Sequence, residues 1–282
     1  MLRIQNRNAD PSITAELNSL QALVGLGVGY PAQVELANKL WKEKLQTNAR
    51  KAIFIKIRET LAEMSLGCVR CAYCEDSLAD EIEHVLPKSF FPDLAFEWEN
   101  YLFACGPCNG PKSNRYGIID SGALIEVIRA KNGPVVPPPI GPHALINPRC
   151  ENPLDFIELD LGGVTQSGIV LAPTFQFVVR DDIRSEDQVR AEFTIAVLGM
   201  NREVIRAARE NAFGGFRSRL REYASEVMAQ ANSDRLDLLR KDILKAPHLT
   251  VFSEMIRQNH YIPEINRLFS EAPHVLYWSL TA

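Results

Sequence analysis

Hydrophobic and polar positions divide the chain into stretches of different pattern. Residues 11–66 repeat apolar side chains at helical spacing, with Ile53, Ile57, Leu61 and Met64 on one face before Gly67 stops the pattern. Residues 67–120 are different: short, cysteine-rich, and punctuated by Pro87, Pro92, Gly106, Pro107, Gly110 and Pro111. A short apolar run, Ala123 to Ile128, precedes PVVPPPIGP at 134–142, a stiff, extended linker by composition. Residues 143–180 carry strand signals, above all the alternating TFQFVV at 174–179. Helical spacing returns near 185, where Val204, Ala208, Ala212, Phe216, Leu220, Tyr223 and Val227 form one long stripe. Gly214-Gly215 interrupts that stripe and predicts a bend or a split. The expected organisation is therefore 1–66 helical, 67–133 a compact module, 134–184 linker and short strands, and 185–282 helical.

Composition adds exclusions. With 46% hydrophobic and 23% charged residues, the chain reads as an ordinary globular protein large enough to bury a core. No apolar run approaches the roughly 18 residues that a membrane span requires. The start, MLRIQNRNAD, lacks the apolar centre of a secretory signal, so a cytoplasmic protein is expected. A formal net charge of −4 argues against a general basic coat for nucleic acid, though not against a local basic groove.

Five of the six cysteines fall between 68 and 108. Cys71-x2-Cys74 and Cys105-x2-Cys108 are the ligand pattern of a tetrahedral structural zinc site, and a short proline-rich segment has little core of its own. Cys68 competes with Cys71 and Cys74 for the first pair. Cys71 and Cys74 are favoured, leaving Cys68 and Cys150 as buried apolar residues.

Between the two pairs lie Glu83, His84 and Asn100, and Asn109 follows the second. A neutral imidazole can take a proton from water near neutral pH. A carboxylate and an amide oxygen beside it suit magnesium or manganese, which stabilise charge at a phosphodiester. Asp80 and Glu81 read as ordinary surface charge.

The sequence CAYCE–EHVLPK–WENYLFACGPCNGPKSNR resembles the zinc-ribbon-stapled HNH endonucleases, whose core is a ββα-metal fold. The resemblance implies an α+β protein with that core embedded in mainly helical flanks. It implies His84 as general base, Glu83 and Asn109 as ligands of a catalytic Mg2+ or Mn2+, and Asn100 as the residue bracing the connecting loop. Lys88 and Lys112 fall where such enzymes place lysines that face phosphate. Asn in place of His at 109 favours a hard ion over zinc at that site, and Glu in place of the commoner Asp at 83 leaves its metal geometry open.

The start MLRI…NADP, FPDLAFEWEN, LINPRCENPLDFI and TIAVLGMNREVIRAAR extend the likeness to HNH effectors of Septu-type and retron-associated anti-phage systems. That narrower likeness implies a toxic nuclease working with a partner ATPase, with a retron nucleic acid as a further component. Residues 184–222 hold eight arginines against six acids, a surface able to meet phosphate or a carboxylate-rich partner; a solvated helix face laced with ion pairs is the plainer explanation. Two other functions stay open on sequence alone: a stand-alone, restriction-like HNH nuclease, and a catalytically silent zinc-ribbon scaffold.

Overall fold

Residues 1–130 and 133–280 are described by a computed structural model. Residues 131–132 and 281–282, which close the second and fourth expected regions, lie outside the described residues. Three helices open the chain: α1 (Pro11–Gly25), α2 (Tyr30–Lys42) and α3 (Asn48–Glu63). Their starts follow from local chemistry. Asp10 accepts a hydrogen bond from Ser12 N at 2.8 Å with Pro11 in the first turn, and Thr47 accepts from Arg50 N at 3.2 Å. Ile13, Leu17, Leu20 and Val24 of α1 bury one helical face, and Phe54, Ile57 and Leu61 of α3 bury another.

The cysteine-rich segment contributes β1 (Glu81–His84), β2 (Tyr101–Ala104) and the short helix α4 (Gly106–Lys112). The two strands pair antiparallel, from Glu81 opposite Ala104 to His84 opposite Tyr101. All four residues of β2 are buried. A second hairpin, β3 (Tyr116–Asp120) with β4 (Ala123–Val127), follows, and 134–142 runs without regular secondary structure to a bridge between Ile118 and His143. Short strands come next: β5 (Ile157–Leu159), β6 (Gly163–Val164), β7 (Val170–Leu171) and β8 (Phe177–Val179). The predicted strand at 174–179 is shorter than its pattern. Phe175 adopts a left-handed φ of 52° and Thr174 is tied to Asp160 Oδ2 at 2.6 Å, so pairing with β5 starts only at Phe177.

Five helices complete the chain: α5 (Ser185–Val197), α6 (Glu203–Met228), α7 (Ser233–Leu244), α8 (Leu249–Gln258) and α9 (Pro263–Glu271). Two sequence expectations change here. α6 runs 26 residues without a break through Gly214-Gly215. It packs against α7, α8 and α9, and burial of Phe216, Leu220 and Tyr223 outweighs the roughly 1 kcal/mol that each interior glycine costs. The buried stripe is also displaced at its start. Val204 is 67% exposed, while Ile205 and the aliphatic stem of Arg209 turn inward.

Buried side chains of the opening helices, the cysteine-rich segment and the closing helices form one continuous apolar cluster. Arg149 stitches it together. Its fully buried guanidinium donates to Trp98 O at 2.7 Å and Tyr101 O at 2.8 Å, and Nε donates to Asn6 Oδ1 at 3.0 Å. The mean class is thus helix-rich with four small two-stranded sheets among the described residues, an α+β arrangement.

A Cβ built on Gly214 meets nothing within 4 Å. Gly214→Ala is therefore expected to stabilise the protein by about 0.5–1 kcal/mol, read as a raised urea midpoint at unchanged slope; a lowered midpoint would mean that α6 needs its flexibility there.

Candidate functional site

The four cysteines of the two pairs converge. Cys71 and Cys74 sit in a tight turn closed by Glu75 N to Cys71 O at 2.9 Å and joined to β2 by Ala72 N to Phe103 O at 2.9 Å. Cys105 caps α4 and Cys108 lies in its first turn. All four are buried, and their sulfurs lie within 4.8 Å of one another. The Cys74–Cys105 sulfur separation is 3.8 Å. That equals the edge, about 3.8 Å, of a tetrahedron with metal–sulfur bonds of about 2.3 Å. Hydrogen bonds among the sulfurs, those with Cys105 foremost, push the Cys71 and Cys108 thiols up and the Cys74 thiol down. Four thiolates can coexist here only around a cation, and the cluster can hold a metal ion such as zinc.

The closing helices reach this cluster. Arg202 donates to Pro107 O and, at 3.4 Å, to Cys108 Sγ. Arg209 donates to Phe175 O at 3.2 Å over the Phe177 ring. Burial pulls the Arg209 pKa down to about 10, with Glu75 and Cys74 opposing. Cys68 is half-buried and outside the cluster, accepting from Arg70 Nε at 3.4 Å. Cys150 is exposed, which corrects its reading as a buried apolar residue: it stands in the turn that Asn147 organises, on the surface.

Beside the cluster opens a cleft of about 290 Å3 lined by Trp41, Glu81, Glu83, His84, Lys88 and Asn109 among others. Glu81 and Glu83 share one face of β1 by its period of two. Asn109, on α4, donates Nδ2 to Glu81 Oε2 at 2.6 Å, bridging helix and strand across the cleft. His84 Nε2 lies 2.9 Å from Ala95 O. A carbonyl only accepts, so Nε2 carries the proton and Nδ1 is left with the free lone pair. Tyr101 Oη donates to the same carbonyl at 2.9 Å. Burial, then the nearby Lys88 charge, lowers the His84 pKa to about 3, so the ring is neutral across the physiological range.

Asn100 does not face the cleft. Its Oδ1 accepts from Leu86 N at 2.8 Å, and its Nδ2 donates to Leu86 O and Leu94 O, both at 2.9 Å. It closes the loop that ends at Ala95, the residue holding His84. Lys112 departs from the expectation of a phosphate-facing lysine. It is fully buried, forms an ion pair with Glu83, and donates to His84 O at 2.7 Å. Burial raises the Glu83 pKa, and Lys112 opposes this. The Glu83 and Lys112 charges touch, yet Glu83 Oε1 has no well-aligned hydrogen bond.

Sequence reasoning therefore brought Glu83, His84, Lys88 and Asn109 to one cleft but missed Glu81 and Trp41. Glu81 had a signal in its same-face spacing from Glu83, whereas nothing in the order of residues joins Trp41, from α2, to His84. The arginine-rich stretch 184–222 is largely engaged within the chain. Arg184 pairs with Asp187, Arg190 with Glu151, and Arg217 and Arg221 with Glu264, while Arg206 donates to Thr174 O.

A segment of 79 residues, 26% of the chain, is 37% identical to the Septu protein PtuB of Bacillus thuringiensis. The aligned segment spans 30% of that protein's length, so the chain is related to it over a part of each. No family model matches the chain, and no solved structure matches it. Among the described residues no helix is long and apolar enough to cross a membrane.

Metal analysis tests the cysteine cluster. Wild-type protein is expected to carry about one zinc per chain, and Cys105→Ser to lose most of it and melt about 10 °C lower. Full metal content in that variant would remove Cys105 from the ligand set.

Proposed function

We propose that the chain is a metal-dependent endonuclease of the HNH class, with a ββα-metal core formed by β1, β2 and α4. The observation that carries this reading is the placement of His84. Its imidazole, with Nε2 committed to the Ala95 carbonyl, lines a cleft together with Glu81, Glu83, Lys88 and Asn109. In this reading Nδ1 takes a proton from water as its oxygen attacks a phosphodiester phosphorus, and the bond to the leaving sugar oxygen breaks. Lys88 meets a phosphate of the substrate backbone, Asn100 fixes the loop that orients His84, and Lys112 keeps Glu83 ionised.

The donors fit a hard divalent cation. Glu83 and Asn109, with Glu81 joining them, offer only oxygen ligands, which suit Mg2+ or Mn2+ and not a second zinc. Such an ion, when bound, stabilises the negative charge of the phosphorane and of the departing oxygen. The cysteine cluster, with structural zinc, would set the position of Asn109 against β1.

The segment shared with the Septu protein supports a place in anti-phage defence; in this reading the chain is a toxic nuclease that works with, or is held by, a partner ATPase. DNA and RNA are both substrates an HNH core can cut.

His84→Ala is expected to lower magnesium-dependent cleavage of plasmid DNA or total RNA by about 10²–10⁴-fold at unchanged zinc content. Cleavage at the wild-type rate in that variant would rule out His84 as the base.

A further inference from the structure

Three ammonium groups surround His84, and the proposed chemistry uses two of them, Lys112 on Glu83 and Lys88 on phosphate. The third, Lys44, comes from the turn after α2, far in sequence from the cysteine-rich segment. Its Nζ lies 4.5 Å from the centre of the Trp41 ring and donates to Trp41 O at 3.2 Å. Lys88 Nζ lies 5.8 Å from the centre of that same ring. The ring itself meets His84 edge to face, with centroids 4.2 Å apart. Trp41 is thus a platform shared by the imidazole and two lysines.

Neither Lys44 nor Lys88 forms a salt bridge among the described residues, in contrast to Lys112. Both are half-buried, so their charges are screened less than those of fully solvated lysines. Two like charges held near one ring repel each other, and an anion bound by both relieves that repulsion. The cation–π contacts hold both side chains without supplying a counter-charge. Lys88 lines the cleft beside His84, and Lys44 meets the same Trp41 ring.

We propose that Lys44 and Lys88, carried on the Trp41 ring, clamp a backbone phosphate adjoining the scissile one, which makes the end of α2 part of the substrate site. The inference rests on the nuclease reading for what is cut, but the clamp itself requires only a phosphodiester ligand. Ammonium groups on phosphate read no bases, so the contact is independent of sequence and of sugar type.

Binding isolates the clamp from the chemistry. Full-length protein carrying His84→Ala is titrated, without added divalent metal, into a fluorescent DNA duplex of roughly 20 base pairs and into an RNA of the same sequence, across a range of salt. Lys44→Gln keeps a donor for the Trp41 carbonyl and removes the charge. It is expected to weaken binding about 5- to 10-fold and to flatten the salt dependence by about 0.9 in log–log slope. Lys44→Arg restores both, and the melting temperature stays unchanged.

Lys88→Gln gives a second, independent reading of the slope if Lys44→Gln does not fold. Unchanged affinity and slope in the folded variants overturn the clamp, as does absence of binding by the parent protein to either probe. Wild-type protein that binds through both lysines yet leaves DNA and RNA intact with magnesium refutes the nuclease reading and keeps the clamp. Wild-type protein that cuts, with Lys44→Gln binding at full affinity and slope, refutes the clamp alone.

Discussion

Four sulfur atoms within 4.8 Å of one another are the constraint on which the cleft depends. They tie the turn before β1 to the first turn of α4, two pieces of chain that share little else. α4 is only seven residues long with Pro111 inside it, so it has no intrinsic stability as a helix. Held at its start through Cys105 and Cys108, it can present Asn109 to Glu81 and Lys112 to Glu83 from successive turns. A change in sulfur geometry would move both contacts together.

The rest of the chain completes what the cysteines begin. The segment was expected to lack a core of its own, and its buried Trp98, Tyr101, Leu102 and Phe103 do pack into the cluster formed with the flanking helices. Arg149 supplies the hydrogen bonds that Trp98 O and Tyr101 O need at that seam. Arg202 reaches Cys108, and α2 lays Trp41 against His84. Burial then sets the chemistry of the groups enclosed. It keeps His84 neutral, and it makes Glu83 dependent on the charge of Lys112.

Local pattern made much of this legible. Two CxxC pairs gave the cluster, and helical spacing gave α1 to α3 and the closing helices. What the sequence hid is tertiary. Whether Lys112 faces solvent or Glu83 depends on how α4 is turned against β1, which no spacing reveals. Cys150 looked buried because cysteine usually is, but its turn lies on the surface. The glycine pair in α6 carried a real helix penalty that packing overrode, and Val204 was placed inside by a stripe that in fact turns by one residue. Trp41 and Lys44 are too far from the motif in sequence to be joined to it without the fold.

Zinc-edge X-ray absorption on the purified full-length protein tests the organising role of the cysteine cluster most directly. The account predicts a single shell of four sulfur ligands at about 2.3 Å. A shell containing nitrogen or oxygen, or protein that folds to the same melting temperature with no metal bound, would contradict it.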